Sequence, residues 1–300
     1  MHASDLQDKL RGVMAFAPTP FTSDDRLDGD GLARQVDFLV RSGAHVVVVC
    51  GGVGEFYSLE PGEYRDCMRI AVEAAGRRVP VIVGIGHSTR VACGFAAHAH
   101  AVGADGLLVH PFYFVSPPEE GIVRHYEALA QASPLGMIIY HTREAVYAPA
   151  LVERLAGIDA VVALKDEVGD LKTFVEMRER MGSRLAWING MAELLLEPYL
   201  AAGAQAMTTG IVNFAPALSL KVWRAGVEGR RDELRALLAE QVRPLARLRE
   251  KRKGYAVAVV KEAMNMLGLP GGCVRAPLTK MADEDRAELR GVLVQIGVLP

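Results

Sequence analysis

Lysine is scarce and cysteine is unpatterned in this chain. Eight lysines stand against 26 arginines, so a lysine in an apolar setting is conspicuous. The four cysteines (Cys50, Cys67, Cys93, Cys273) form no CxxC pair and no regular framework. A chain of 300 residues needs no disulfide staples, which leaves the reducing cytoplasm as the expected compartment. Neither sign of charge dominates. The formal net charge is −2 with acids and bases interspersed, so neither a nucleic-acid footprint nor a polybasic membrane patch is present. The longest apolar runs, such as 46–50 and 79–85, are far too short to span a bilayer. Residues 1–12 are polar and charged and read as lacking a hydrophobic signal region.

Half of the residues are hydrophobic and 23% are charged, which predicts a sizeable core and excludes general disorder. The length fits two ordinary domains or one large α/β barrel. Short β-like runs fall at 13–17, 45–50, 79–85, 106–110, 136–140, 160–165, 185–189 and 206–210. Most are continuous apolar stretches, as expected for parallel strands covered on both faces. Segments of helical length lie between them, at 32–42, 64–75, 118–130, 149–156 and 170–181. Pro or Asp stands near the start of most, and Gly closes several. Eight alternations over residues 1–225 predict a (β/α)8 TIM barrel. The structural alternative, a doubly wound open sheet, lacks its dinucleotide fingerprint, because Gly84-Ile85-Gly86 has no third glycine in register. After the eighth run the pattern becomes all-helical, with Leu234, Leu237, Leu238, Val242, Leu245 and Leu248 at helical spacing. Residues 226–300 therefore read as a C-terminal helical extension, jointed at 226–231 and 268–277.

In such a barrel, function gathers where the strands end. Lys165 is the sharpest signal, because it alone among the lysines closes a buried apolar run. Desolvation there would lower its pKa and free the amine as a nucleophile. The plainer reading is an ion pair with Asp166 or Glu167 at the rim. Tyr140 ends the neighbouring run and could move protons beside an amine; equally, it could cap the barrel mouth. Gly51-Gly52-Val53-Gly54 could cradle a carboxylate on backbone N–H groups, or could be a tight turn. Arg143 could hold a substrate carboxylate or lie on the surface. His87, His110 and His141 also end strands, which keeps a metal-dependent rival in play with Glu55 as a further ligand or base. They show no local ligand motif.

Taken together, these residues resemble the dihydrodipicolinate synthase / N-acetylneuraminate lyase superfamily of class I aldolase-type lyases. The similarity runs from Ala17-Pro18-Thr19-Pro20-Phe21 through Gly51–Glu55, 111–121, Tyr140, Lys165-Asp166 and Asn189-Gly190 into the C-terminal helices. Gly54-Glu55-Phe56-Tyr57-Ser58-Leu59, Lys165-Asp166-Glu167-Val168-Gly169-Asp170 and Arg252-Lys253-Gly254-Tyr255-Ala256-Val257 resemble, within it, 5-dehydro-4-deoxyglucarate dehydratase.

The resemblance implies Lys165 as the Schiff-base lysine and Tyr140 as its proton relay. It implies Gly52 and Val53 as carboxylate-binding positions, and Gly190 and Thr208 as pocket-lining ones. Tyr113 falls where synthases place a tyrosine that reaches a neighbouring subunit's site. A small 2-oxo acid substrate, no organic cofactor, no metal and a homotetramer (a dimer of dimers) are implied in turn.

Three departures stand out. Gly52 and Val53 replace hydroxyl-bearing threonines, so carboxylate binding falls to the backbone. Arg143 is shifted one place from the dehydratase arginine. Ala145 occupies the synthase arginine position, which speaks against the semialdehyde-condensing reaction. The expected activity is dehydration with decarboxylation of a deoxy-keto sugar acid. The alternatives are a pyruvate-type aldol lyase or a condensing enzyme, and, in another class, a catalytically silent 2-oxo-acid binder.

Overall fold

The computed structural model describes residues 3–112 and 115–300. Its centre is a closed barrel of eight strands: β1 (Gly12–Phe16), β2 (Val46–Val49), β3 (Val81–Ile85), β4 (Gly106–Val109), β5 (Gly136–His141), β6 (Val161–Asp166), β7 (Ala186–Asn189) and β8 (Ala206–Thr209). Every neighbouring pair is parallel, and β8 closes on β1. Each expected run coincides with one strand to within two residues. The chain thus folds as a (β/α)8 barrel with helices continuing beyond it.

Side-chain alternation divides two cores. Met14, Phe16, Val46, Val48, Ile82, Leu108, Ile138, Ala186, Ile188 and Ala206 fill the barrel interior. The opposite faces of the strands pack against the surrounding helices in a larger cluster. This two-sided burial is why the strands read as unbroken apolar runs rather than alternating ones.

Helix Ala3–Lys9 was not anticipated. Leu6 and Leu10 are fully buried and join the interior cluster at the N-terminal end of the barrel. Leu6 lies so near Gly136 that a Cβ there would come within 2.9 Å of its Cδ2, and Gly106 is tighter still. The glycines opening β4 and β5 thus make room for a plug. Two leucines in a polar segment gave too short a periodicity to announce it.

One irregularity positions the site. Between β5 and β6 the register slips: Met137 pairs with Val161, but Ile138 pairs with Ala163. The bulge at Val162 switches the phase of β6, so that Ala163 faces the interior while Leu164 faces the helices. Lys165 follows Ala163 in phase and is aimed into the barrel. Had β6 alternated regularly from Val161, Lys165 would point outward toward the helices with Val161.

Beyond helix Pro216–Val227 come Arg231–Leu237, a π-helical turn Leu238–Val242, Arg243–Glu250, Tyr255–Met266 and Asp283–Gln295. This segment returns to the barrel. Cys273 bridges to Phe21, and the Arg275 guanidinium binds Glu63 and Asp25. No helix is long and apolar enough to cross a membrane among the described residues.

Candidate active site

A cavity of about 320 Å³ opens at the C-terminal mouth of the barrel. Lys165, Tyr140, Gly52, Val53, Gly190 and Thr208 all line it. Six of the residues singled out from the sequence, on five different strands or strand ends, are thereby brought together. Arg143 is exposed on the turn after β5 and is not among the lining residues. Tyr113 lies outside the described residues.

Lys165 and Tyr140 are register partners on adjacent strands. The Lys165 ammonium sits 3.6 Å from the centre of the Tyr140 ring and 4.9 Å from that of Phe16. It donates to Glu167 Oε2 at 2.5 Å, and the Tyr140 hydroxyl donates to the same oxygen at 2.6 Å. Glu167 therefore bridges the two, and it was missed as a functional residue. The available signal was parity: Glu167 is two residues beyond Lys165, and strand geometry sends i and i+2 the same way.

Burial pushes the Lys165 amine below the ordinary lysine range, with the Glu167 carboxylate opposing that shift. At Glu167, burial works against the charge, but the Lys165 ammonium and the Tyr140 hydroxyl more than offset it and hold the carboxyl below its usual value. Burial, reinforced by Glu167, pushes the Tyr140 phenol well up. The phenol is thus neutral and able to donate a proton.

The glycine loop after β2 is held by buried groups. His110 donates from Nε2 to the Cys50 carbonyl at 2.9 Å, and its ring stacks on Phe56 at 3.9 Å. Desolvation pushes the His110 pKa down to about 4, so the ring is neutral. Its site in the fold is that of a clamp. His141 binds Asp166 at 2.6 Å, and His87 packs near Phe56. Among the described residues, no three His, Cys, Asp or Glu side chains converge as a metal-ligand set. The space above Gly52 is open, since a Cβ there would touch nothing within 4 Å.

On the opposite rim, a Cβ on Gly190 would press to 2.5 Å from the Asp166 carbonyl, so this position tolerates only glycine. The next turn carries Ala192 at φ 56, a conformation costing about 1–3 kcal/mol for a non-glycine residue. Asn189 stabilises it, donating to the Ala192 carbonyl at 2.9 Å and accepting from Met191 N–H at 2.8 Å. Strain of this kind is concentrated at the mouth, where Cys50, Glu55 and His87 also have positive φ.

Two more polar side chains matter. Glu193 is buried and accepts from Thr209 and, at 3.0 Å, from Ser219, while burial raises its pKa. Arg249, from helix Arg243–Glu250, lines the cavity beside Lys165. Nothing in the sequence marked it out from the other arginines nearby.

Comparison with known proteins places the chain as a whole. The family model described as Dihydrodipicolinate synthetase family matches residues 9–296. The chain is 38% identical over 295 residues to a Streptomyces coelicolor protein named probable 5-dehydro-4-deoxyglucarate dehydratase 1, covering 96% of this chain and 93% of that one. It is 35% identical to a Cereibacter sphaeroides protein named probable 5-dehydro-4-deoxyglucarate dehydratase, covering 94% of each. The crystal structure of dihydrodipicolinate synthase from Oceanobacillus iheyensis superposes with a TM-score of 0.93 at 28% identity, over 98% of this chain and 99% of that one.

Proposed function

The chain belongs to the dihydrodipicolinate synthetase family of lyases, and from that premise we propose that it is a class I enzyme forming a Schiff base between Lys165 and a 2-oxo acid. Its favoured reaction is dehydration with decarboxylation of a deoxy-keto sugar acid; the relatives from Streptomyces and Cereibacter are named probable 5-dehydro-4-deoxyglucarate dehydratases, which supports the dehydration. The observation that carries this reading is a single carboxylate oxygen, Glu167 Oε2, that receives both the Lys165 amine and the Tyr140 hydroxyl inside one cavity.

The steps follow from those contacts. Glu167 takes a proton from the Lys165 ammonium and leaves a neutral amine. The amine attacks the ketone carbon at C2, and the carbonyl oxygen becomes the carbinolamine hydroxyl. That hydroxyl leaves as water on a proton delivered by the Tyr140 phenol, which is resupplied from Glu167. The cationic imine then draws electrons, so a C3 proton can depart and the C4 hydroxyl can be expelled as water. Loss of carbon dioxide from the far end sends its bonding electrons along the conjugated chain to the same nitrogen.

The glycine loop would hold the carboxylate next to the ketone on the backbone N–H groups near Gly52 and Val53, with Gly190 and Thr208 walling the pocket. Aligning the amine and ketone in this way can supply several kcal/mol, up to about 7–11 in the best-aligned cases. Here Glu167 stands in for the proton path that hydroxyls at Gly52 and Val53 would have provided. A homotetramer in the cytoplasm, as the family resemblance implies, belongs to the same proposal.

Borohydride reduction in the presence of pyruvate, followed by mass spectrometry, tests it. The expected result is one adduct on Lys165, absent from Lys165→Arg. An adduct elsewhere, or turnover abolished by a chelator with no adduct, would overturn the imine route. An aldol lyase would form the same adduct but release two carbonyl fragments rather than water and carbon dioxide.

A further inference from the structure

We propose that Arg249 binds a second carboxylate on the substrate, at the end remote from the ketone, and so selects dicarboxylic 2-oxo acids. This rests on the Schiff-base reading of the cavity and extends it. Lys165 and Arg249 are the two cations lining that cavity. They differ in how their charge is met. Lys165 is ion-paired with Glu167. Among the described residues no carboxylate pairs with Arg249; its Nε donates only to the Ala256 carbonyl, at 3.4 Å. Arg252 pairs with Glu284 and Asp285, and Arg286 with Glu262, whereas Arg243 and Arg247, on the same helix as Arg249, also lack a described ion pair; Arg249 is the one of these arginines that lines the cavity. Glu167 and Glu193 feel its charge, but no described carboxylate is in ion-pair contact with the guanidinium itself. A planar guanidinium with a free edge suits a carboxylate held by two parallel hydrogen bonds.

Position argues for the remote carboxylate rather than the one beside the ketone. The guanidinium lies over the end of β8, where a Cβ on Gly210 would be 3.7 Å from Nη2 and 3.9 Å from Cζ. The glycine loop follows β2, on the other side of β1 from β8. The two anion-binding elements are thus set apart around the rim, with Lys165 on β6 presented to the same cavity. A substrate anchored by its first carboxylate on the loop and by its ketone on Lys165 would lay its far end toward β8. Arg249 is also held in place there. Leu245 and Leu248 are buried at 0% and 1% exposure, which fixes the helix that carries it.

The test compares two six-carbon acids, 2-oxoadipate and 2-oxohexanoate, which differ only in a terminal carboxylate against a methyl. The readout is the concentration giving half-maximal borohydride-trapped adduct on Lys165. In the native protein 2-oxoadipate should be preferred at least tenfold. In Arg249→Gln that preference should fall to about twofold or less, and Arg249→Lys should recover part of it. Thermal unfolding of each variant checks that the fold is intact. A preference unchanged in Arg249→Gln overturns the assignment while leaving the imine standing. Equal weakening of both acids in that variant also overturns it, by placing Arg249 on the shared carboxylate. Absence of any adduct in the native protein would instead sink the Schiff-base reading itself, and this inference with it.

Discussion

Two lysines are buried in this protein, and they sit in regions built for opposite purposes. Lys165 closes β6 at the barrel mouth; Lys261 lies in helix Tyr255–Met266 of the C-terminal segment. Both are ion-paired to a glutamate and both pack on aromatic rings. Burial pushes both amines below the ordinary lysine range, and a carboxylate opposes the shift in each case. Neither burial nor pKa direction separates them. What differs is the other side of the pair. The Glu167 side chain is 41% exposed and opens into the cavity, whereas the Glu55 side chain is fully buried. Lys261 also donates to the Cys273 carbonyl at 2.6 Å, and Glu55 accepts from Arg275 N–H at 2.9 Å. The Lys261 amine has two protein acceptors, although its side chain also borders a cavity of about 490 Å³, and its pair fastens the C-terminal segment to the glycine loop. The Lys165 amine has one acceptor and a space beside it. A reactive lysine is recognised by the groups around its amine, not by how deeply it is buried.

Removing each amine should separate the two roles most sharply. Lys261→Met leaves the Glu55 carboxylate buried without its counter-ion, and such a loss costs about 3–5 kcal/mol of stability. Urea unfolding should show it, and adding Glu55→Gln should restore part of the loss. Lys165→Met leaves Glu167 able to turn to water, so its cost in stability should be much smaller while adduct formation disappears. Equal destabilisation by the two substitutions would break the distinction. The next effect is catalytic. Glu167→Gln keeps the shape of the bridge but removes its charge and its capacity to carry protons. A loss of roughly a hundredfold in kcat with little change in KM is expected, at the lower end of what a positioned acid–base group contributes. A kcat unchanged in that variant would return Glu167 to the role of a rim ion pair.

Much of this architecture was legible because strands covered on both faces must be apolar throughout, and their polar ends stand out. Lys165 and Tyr140 were visible for that reason. The same unbroken apolarity hides phase. Val161, Val162, Ala163 and Leu164 give no sign of which residue faces inward, and the Val162 bulge that aims Lys165 into the barrel can be seen only from the register. Lys261 escaped notice because it is on a helix, although Val257 and Met264 flank it at helical spacing and mark its face as buried. Arg249 depends on how the C-terminal helices fold back over the mouth, which no local pattern encodes. Arg143 drew attention by its place just after β5, but the chain turns there and leaves it exposed.

A smaller effect carries the comparison of mouth and scaffold over to histidine. His110 clamps the glycine loop, while His125 lies in helix Glu119–Ala132, hydrogen-bonded through Nδ1 to Thr89 at 2.9 Å. Burial pushes both down to about 4 from an ordinary 6.5, so the folded protein keeps both rings neutral. The unfolded chain takes up protons at these sites as pH falls below 6.5, and the folded chain does so only near 4. The unfolded state therefore binds more protons in that window, and stability is lost as pH falls through it. Between pH 7 and 5.5 each histidine should account for about 1 kcal/mol of that loss. His125→Leu removes one of the two titrations without touching the cavity. Whatever its stability at pH 7, its decline to pH 5.5 in urea unfolding should be shallower than that of the native chain by that amount. An equal slope would mean that the His125 ring takes up its proton as readily in the folded protein as in the unfolded chain, and that its burial, unlike that of His110, does not hold a proton off.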